Sequence, residues 1–334
     1  MSISIECGRR LLPKVDPTIR VYDWRDNRFH YAISVGARGV WREAVAESWE
    51  SCDLLVLVAL EEEFEELYQL FPDMEAVPDP EHGGSDFIFT IRGTDQPVRT
   101  VARLVGGMGI AEAQLAADRA LTRWRPNLIV NIGIAASLHE DIKLGDVLIA
   151  DQVDAYDANL KAVSSEESGW ELQHRGAVFH GEHVLLQIVK QFRFTHRKQY
   201  EAWYNRGASL LDALVPKDKA SELKSTGVVR EHPTLHVGHL ASGSVVGAAT
   251  GFTTFLKSRD ATIRVLEMEA AGMARAAVKR TQQVPWLIIR GVSDFGDERK
   301  SEMDATGVGS LRRLAMLNAT QLMLSIVQSG VLKY

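Results

Sequence analysis

The sequence predicts an α/β fold: a three-layer domain in which helices flank a twisted, mixed central sheet. Three observations lead to this prediction. Short, continuously apolar segments have the composition of buried strands, other segments carry apolar residues at helical spacing, and the two kinds alternate along most of the chain. With 334 residues, 46% hydrophobic and 25% charged, the chain is long enough to bury one large core or two modest ones.

The chain begins with a segment of different character. Residues 1–52 hold scattered charges and tryptophans with no sustained strand or helix period, so we predict an N-terminal extension there and a main domain at 53–334. The apolar run DLLVLVAL at 53–60 then predicts a strand that is covered on both faces. A helix is expected at 61–71, where a proline helps to end it.

The later elements follow the same alternation. The predicted strands lie at 86–92, 98–107, 128–133, 145–153, 236–242, 262–267 and 286–292, and the polar turn between the first two suggests a hairpin. The predicted helices lie at 110–124, 182–193, 197–213, 251–258, 269–280 and 309–328. Because polar and Lys/Glu-rich stretches interrupt the pattern at about 155–235, we interpret that segment as an insertion.

Charge and cysteine content exclude several classes of protein. A formal net charge of −6 argues against a protein that coats nucleic acid or binds anionic membranes. Two cysteines, Cys7 and Cys52, are too few for a disulfide framework or a zinc cluster. No segment approaches the roughly 18 apolar residues of a membrane span, and residues 1–13 lack the apolar stretch of a signal peptide. We therefore expect a cytoplasmic protein with no nucleic-acid or membrane partner.

Acidic residues and glycines stand at the predicted carboxyl ends of four strands. They are Glu61, Glu62 and Glu63, the glycine turn at 106–109, Glu267 and Glu269, and Asp294. Each alone has a structural explanation, as a capping or solvated carboxylate or as a tight turn. Ligands of α/β sheets bind at the carboxyl ends of strands, however, so the four groups together favour one shared pocket. In that pocket the half-desolvated carboxyl group of Asp294 is suited to act as a general acid.

Short motifs at these positions resemble those of a known family. They are Ala-Leu-Glu-Glu-Glu at 59–63, Gly-Met-Gly at 107–109, Asn-Ile-Gly at 131–133, Gly-Asp-Val at 145–147, Ala-Ser-Gly at 241–243, Glu-Met-Glu at 267–269, and Arg290 with Ser293 and Asp294. In this order they resemble the nucleoside phosphorylase and nucleosidase superfamily, most closely the methylthioadenosine/S-adenosylhomocysteine nucleosidases. The resemblance covers about 53–158 and 236–328, and it implies a nucleoside phosphorylase-like fold and a homo-oligomer.

The resemblance also implies an activity, the hydrolytic release of a purine base, with adenine as the expected base, from a nucleoside or nucleotide. It implies that Asp294 protonates or hydrogen-bonds N7 of the purine, while Glu269 holds the ribose hydroxyls. Glu63, with Arg290, would position or deprotonate the attacking water. The implied catalytic residues are Asp294, Glu63 and Glu269, and the implied substrate-binding residues are Met268, Glu267, Ser293, Arg290, Gly107, Gly109, Gly133, Ser242 and Val246. The implied reaction requires no metal and no cofactor.

Two other functions stay open at this point. A phosphorylase would need arginines around phosphate, and Arg92, Arg99 and Arg103 are near the glycine turn in sequence. A non-catalytic nucleoside or nucleotide sensor would use the same pocket to bind a ligand, with residues 1–52 transmitting its state. Glu63 matches the hydrolase pattern, which favours water as the nucleophile.

The substrate beyond the purine is also left open. After Ala-Ser-Gly, the nucleosidases usually place an aromatic side chain that stacks on the base, whereas Ser-Val-Val-Gly follows here at 244–247. Cations of the insertion could instead meet a 5′-phosphate chain, as in nucleosidases of AMP or ATP, or they could form a solvated helix face. These cations are Arg193, Arg197, Lys198 and Arg206.

Overall fold

The computed structural model describes residues 19–23, 28–32, 51–93, 96–165, 169–307 and 309–332. The chain divides into two units, Met1–Glu50 and Ser51–Tyr334. In the first unit, the described residues form two antiparallel strands, β1 (Ile19–Asp23) and β2 (Arg28–Ala32). The sequence predicted no regular element there, because these five-residue strands are too short to show a period against their charged neighbours. The rest of the predicted extension up to Glu50 lies outside the described residues.

The second unit alternates strands and helices along the chain. In order they are β3 (Leu54–Val58), α1 (Glu61–Leu70), β4 (Glu75–Pro78), β5 (Ser85–Arg92), β6 (Pro97–Leu104), α2 (Ile110–Trp124), β7 (Leu128–Ser137), β8 (Val147–Ala155), β9 (Lys161–Ser165), β10 (Gly169–Gln173), β11 (Val178–His180), α3 (His183–Thr195), α4 (Arg197–Leu214), α5 (Lys217–Ser225), β12 (Leu235–Ser242), α6 (Thr250–Arg259), β13 (Ile263–Glu267), α7 (Ala270–Val278), β14 (Trp286–Asp294), α8 (Lys300–Ala305) and α9 (Ser310–Gln328).

The central sheet is mixed, and part of it closes into a ring. Within the described ranges it has ten strands in the order β11, β8, β12, β13, β7, β3, β6, β5, β4, and β14 pairs with both β7 and β8. The pairs β3–β6, β3–β7, β7–β14, β8–β12 and β12–β13 are parallel. Because β14 joins β7 to β8, the strands β7, β14, β8, β12 and β13 form a closed set, from which β3, β6, β5 and β4 extend.

Helices cover the sheet in two layers, as predicted. One hydrophobic cluster joins buried residues of α2 and α7 to the strands, including Leu121, Trp124 and Met273. A second cluster joins residues of α1 and α9, including Leu67 and Leu322. Every residue of β3 and of β14 is buried, as expected for strands covered on both faces. The predicted fold class is confirmed.

Most predicted elements are confirmed, but several short ones were missed. The Lys/Glu-rich part of the insertion contains α5, which buries only Ala220 and Leu223. Two apolar positions are too few to show a helical period, so the sequence predicted a charged connection there. No helix was predicted between 292 and 309, yet Lys300 begins α8.

Within the predicted insertion, α4 packs against α9. Trp203 is buried and its Nε1 donates to the carbonyl oxygen of Asn318 on α9 at 3.0 Å. Arg206, on the same helix, donates to Gln321 of α9. In the described ranges, no helix is both long and apolar enough to cross a membrane.

Candidate active site

The sheet register brings the ends of three strands together. Ala136, near the carboxyl end of β7, pairs with Leu266 of β13 on one side and with Asp294 of β14 on the other. Neighbouring strands are about 4.8 Å apart, so Asp294 and the end of β13 are separated by about 10 Å. β3 also runs parallel to β7, and its carboxyl end leads to α1 at the same edge of the sheet. Residues remote in sequence therefore border one region.

A buried arginine occupies the centre of this region. Arg290, on β14, donates through Nε to Oε2 of Glu267 at 3.1 Å and through Nη2 to Oδ1 of Asn131 at 2.5 Å. Glu267 also accepts the backbone N–H groups of Glu269 and Ala270 at 3.1 and 3.0 Å, so it caps the start of α7. The polar side chains of this group are nearly inaccessible to solvent; they are Asn131, Glu267, Glu269 and Arg290. Through these hydrogen bonds, Arg290 connects the end of β13 to the middle of β7.

Glu63 is the member of its acidic run that points inward. It is buried, whereas Glu61 and Glu62 are exposed. Its Oε1 accepts the N–H of Ile134 at 3.0 Å, and its Oε2 accepts the N–H of Leu60 at 3.2 Å. Burial raises the pKa of Glu63, against the opposing effect of the nearby Arg290 guanidinium. A raised pKa is a property expected of a carboxylate that acts as a base near neutral pH.

Gly133 of β7 lies close to the side chains of both Glu63 and Arg290. A Cβ atom at this position would lie 3.1 Å from Oε1 of Glu63 and 3.1 Å from Nη1 of Arg290. Both distances are shorter than ordinary van der Waals contact, so any side chain here would displace one of the two groups.

Glu269 lies opposite the glycine turn. Its Oε1 accepts the backbone N–H of Gly109 at 3.2 Å, and its Oε2 is 4.0 Å from Nη2 of Arg290. Burial and the neighbouring carboxylate of Glu267 raise the pKa of Glu269 to about 7. This group therefore changes its charge near neutral pH. Glu63, Glu267, Glu269 and Arg290 form one buried cluster, called the acidic cluster below.

Asp294 ends β14 at an irregularity of the strand. The register between β14 and β7 shifts between Val292 and Asp294, and such a bulge turns a side chain away from its regular direction. Asp294 is 2% exposed. Its Oδ2 accepts the hydroxyl of Ser293 at 2.9 Å and the ammonium of Lys300 at 2.8 Å. Its Oδ1 accepts the N–H of Gly296 at 2.9 Å.

The other predicted site residues differ in their surroundings. Ser242 pairs in register with Glu267, and its hydroxyl oxygen accepts the N–H of Ala271, so it helps to cap α7. Met268, between Glu267 and Glu269 of the acidic cluster, is half-buried, and so is Gly107 within the glycine turn. Val246 is 51% exposed in the segment after β12. Its side chain is therefore the most accessible of the predicted substrate-binding residues.

Two polar residues at the site were not among the predicted site residues. Asn131 holds Arg290, and the Asn-Ile-Gly motif was the available signal. Lys300 binds Asp294 from α8. Lys300 follows Asp294 by six positions, but the sequence did not indicate that its side chain turns back to Asp294.

Two of the three arginines that suggested phosphate binding, Arg99 and Arg103, have other contacts. Arg103 is buried and donates to Asp86 through Nε at 2.5 Å and to Asp79 through Nη2 at 2.8 Å. Arg99 donates to the carbonyl oxygen of Ser51 at 2.8 Å. In the insertion, Arg197 pairs with an exposed glutamate on its own helix. Over the part of the chain that the structure describes, no group of three or more His, Cys, Asp or Glu residues is arranged to hold a metal ion.

The chain is similar to known proteins along most of its length. The sequence model described as the phosphorylase superfamily matches residues 53–328. The ATP nucleosidase Cap17 of Escherichia coli is 25% identical over 213 residues, which are 64% of this chain but only 39% of that protein. The chain thus matches well under half of that relative. A 5′-methylthioadenosine/S-adenosylhomocysteine nucleosidase of Listeria monocytogenes is 26% identical over 247 residues, 73% of this chain and 86% of that protein.

A solved structure has the same fold. The 5′-methylthioadenosine/S-adenosylhomocysteine nucleosidase of Neisseria meningitidis, in complex with methylthio-immucillin-A, superposes with a TM-score of 0.58 at 20% identity. The match covers 83% of this chain and 98% of that chain. At this identity the comparison establishes the architecture.

Proposed function

This chain belongs to the phosphorylase superfamily, and from that premise we propose that it is an N-glycosyl hydrolase that releases the free base of a purine nucleoside or nucleotide. The observation that carries the proposal is the placement of two groups of buried carboxylates at one edge of the sheet, with Asp294 about two strand spacings from the end of β13. The names of the relatives above refer to adenine compounds, so we expect adenine as the base.

The separation of the two groups suits a nucleoside that lies across the end of β7. Asp294 would face the purine, and the acidic cluster would face the sugar. The C1′–N9 bond breaks as the ribose gains oxocarbenium character, so carboxylates near the sugar stabilise the transition state. In this arrangement Glu269 accepts hydrogen bonds from the ribose hydroxyls, and Met268 packs on the sugar. The hydroxyl of Ser293 orients Asp294 toward N7.

Water is the better-supported nucleophile. Glu63 is a buried carboxylate with a raised pKa, and its Oε1 lies over Gly133 next to the guanidinium of Arg290. Such a group can take a proton from an attacking water. A phosphorylase would instead need free cations, but Arg103 is bound to two aspartates and Arg99 to a backbone carbonyl. These contacts favour hydrolysis over phosphorolysis.

A product assay tests the proposal. The protein is incubated with adenosine, inosine, methylthioadenosine, AMP and ATP, with and without inorganic phosphate, and free base is separated and measured. Base released without phosphate supports a hydrolase, and base released only with phosphate would identify a phosphorylase. Binding without any release would favour a sensor and overturn the proposal.

A further inference from the structure

The ion pair between Lys300 and Asp294 has no part in the roles given above. We propose that Lys300 is a positioning residue that supplies, through Asp294, the proton that the departing base takes up. This inference rests on the proposed function, since it concerns the same reaction.

The pair lies at the boundary between the buried site and solvent. Nζ of Lys300 is 2.8 Å from Oδ2 of Asp294, a short charge-assisted hydrogen bond. The side chain of Asp294 is 2% exposed, whereas that of Lys300 is 27% exposed. A proton that leaves the buried carboxyl group can therefore be replaced from the lysine, and the lysine can exchange protons with water.

The segment between the two residues is held in place by other contacts. Gly296 turns the chain at a φ of 62° and donates its N–H to Oδ1 of Asp294. Glu298 accepts the N–H and the hydroxyl of Thr250 at 2.9 and 2.7 Å, which ties the segment to the start of α6. Lys300 then begins α8. These contacts fix the backbone of the segment, and the fixed backbone holds Lys300 next to Asp294.

The pair resolves a conflict in the proposed reaction. The base needs a proton at N7 as it leaves, but a carboxyl group that is paired with an ammonium has no proton of its own to spare. The pair as a whole holds one transferable proton between Nζ and Oδ2. As that proton moves onto the carboxyl group, a proton passes from the carboxyl group to N7, and Lys300 is left neutral.

The remaining steps balance the reaction. The electron pair of the C1′–N9 bond goes to the base, the water oxygen forms the new bond to C1′, and the water gives a proton to Glu63. Glu63 later releases that proton to solvent, and Lys300 takes one up. The net change is the addition of water across the glycosidic bond.

The test compares Lys300→Met, Lys300→Arg and wild type with two substrates. One is the purine nucleoside that the wild-type protein cleaves fastest. The other is 4-nitrophenyl riboside, whose leaving group departs without a proton. For the purine nucleoside, we expect Lys300→Met to lower kcat about 100-fold with KM nearly unchanged, since general acid catalysis contributes at least that much. For the nitrophenyl riboside, kcat should stay near the wild-type value.

Lys300→Arg separates proton supply from simple charge. Arginine can keep the ion pair, but its guanidinium does not lose a proton in proteins, so kcat for the purine nucleoside should stay low. The matched control is Arg299→Met, because Arg299 pairs with Asp297 and stacks on Phe295 instead. We expect this variant to keep its activity on both substrates. Thermal unfolding of each variant checks that the fold is kept.

Four results would overturn the inference. Restored turnover in Lys300→Arg would mean that the positive charge alone matters, and an equal loss on both substrates in Lys300→Met would mean a structural role. Wild-type turnover of the purine nucleoside by Lys300→Met would exclude any role for the lysine while leaving the proposed function intact. If the wild-type protein releases no base from any purine nucleoside or nucleotide, the proposed function and this inference fail together.

Discussion

Gly109 donates its backbone N–H to Oε1 of Glu269 at 3.2 Å, although the two residues are 160 positions apart. The contact depends on the crossing of α2 and α7 at Gly272, where a Cβ atom would overlap the carbonyl oxygen of Ile110. The absence of a side chain at Gly272 lets the two helices approach closely. The helix packing that builds one layer of the fold therefore also brings the glycine turn to the acidic cluster.

Asp294→Asn should lower the rate of base release by about 10² to 10⁴-fold, the usual contribution of a positioned acid. Asparagine keeps the size of the side chain and can still accept from Ser293, but its amide cannot pass a proton to the base. The measurement is kcat/KM for the cleaved nucleoside. Asp297→Asn is the control, because Asp297 pairs with Arg299. A loss of less than tenfold in Asp294→Asn would contradict its role.

Glu63→Gln should lower kcat by a similar factor, since an amide cannot accept the proton of the attacking water. The matched control is Glu62→Gln, one residue earlier on α1, where the carboxylate is exposed and pairs with Arg312. Exposed pairs of this kind contribute little to stability, so we expect Glu62→Gln to behave as wild type. Equal activities of the two variants would remove Glu63 from the mechanism.

Gly133→Ala should lower both stability and activity. The new methyl group would lie 3.1 Å from Glu63 and from Arg290, both of which are buried and hydrogen-bonded. Overpacking of this kind costs about 1 to 3 kcal/mol of unfolding free energy. Chemical denaturation measures this cost. Gly251→Ala is the control, because nothing lies within 4 Å of its Cβ position in α6, and alanine there should stabilise the helix slightly.

Glu269→Gln should change how stability depends on pH. The pKa of Glu269 is raised from 4.5 to about 7, so the folded protein favours the neutral form of this group. This preference adds to the free energy of unfolding. The contribution is fully present below pH 4.5 and is lost as the pH rises through about 7, a change on the order of 3 kcal/mol. Glutamine lacks this titration. Unfolding free energies measured from pH 4.5 to 8 should therefore fall less in the variant, and parallel curves would refute the assignment.

Local patterns explain why much of the fold could be predicted. β3 and β14 are apolar along their whole length because both faces are covered, and α2 shows a clear helical period because one face is buried. The helix α8, with six residues and one buried side chain, shows no such signal. Lys300 was therefore missed as a partner of Asp294.

The candidate site was predicted in composition but not in detail. The run of three glutamates after β3 was visible, yet only the angular position of α1 on the sheet decides that Glu63 is buried and Glu62 is not. Arg103 was near the glycine turn in sequence, yet its side chain is held by Asp79 and Asp86. Proximity in sequence did not predict which cations are free to meet a ligand.

By itself, the sequence determined the alternation of strands and helices, the acidic residues and glycines at strand ends, and the resemblance to a family. These features depend on local periodicity and on short motifs, which are visible without coordinates. Only the tertiary structure decided that Glu63, Glu269 and Arg290 share one buried cluster and that Lys300 pairs with Asp294. The physical reason is that strand register and helix crossings set the distances between remote side chains, and burial then sets their charge.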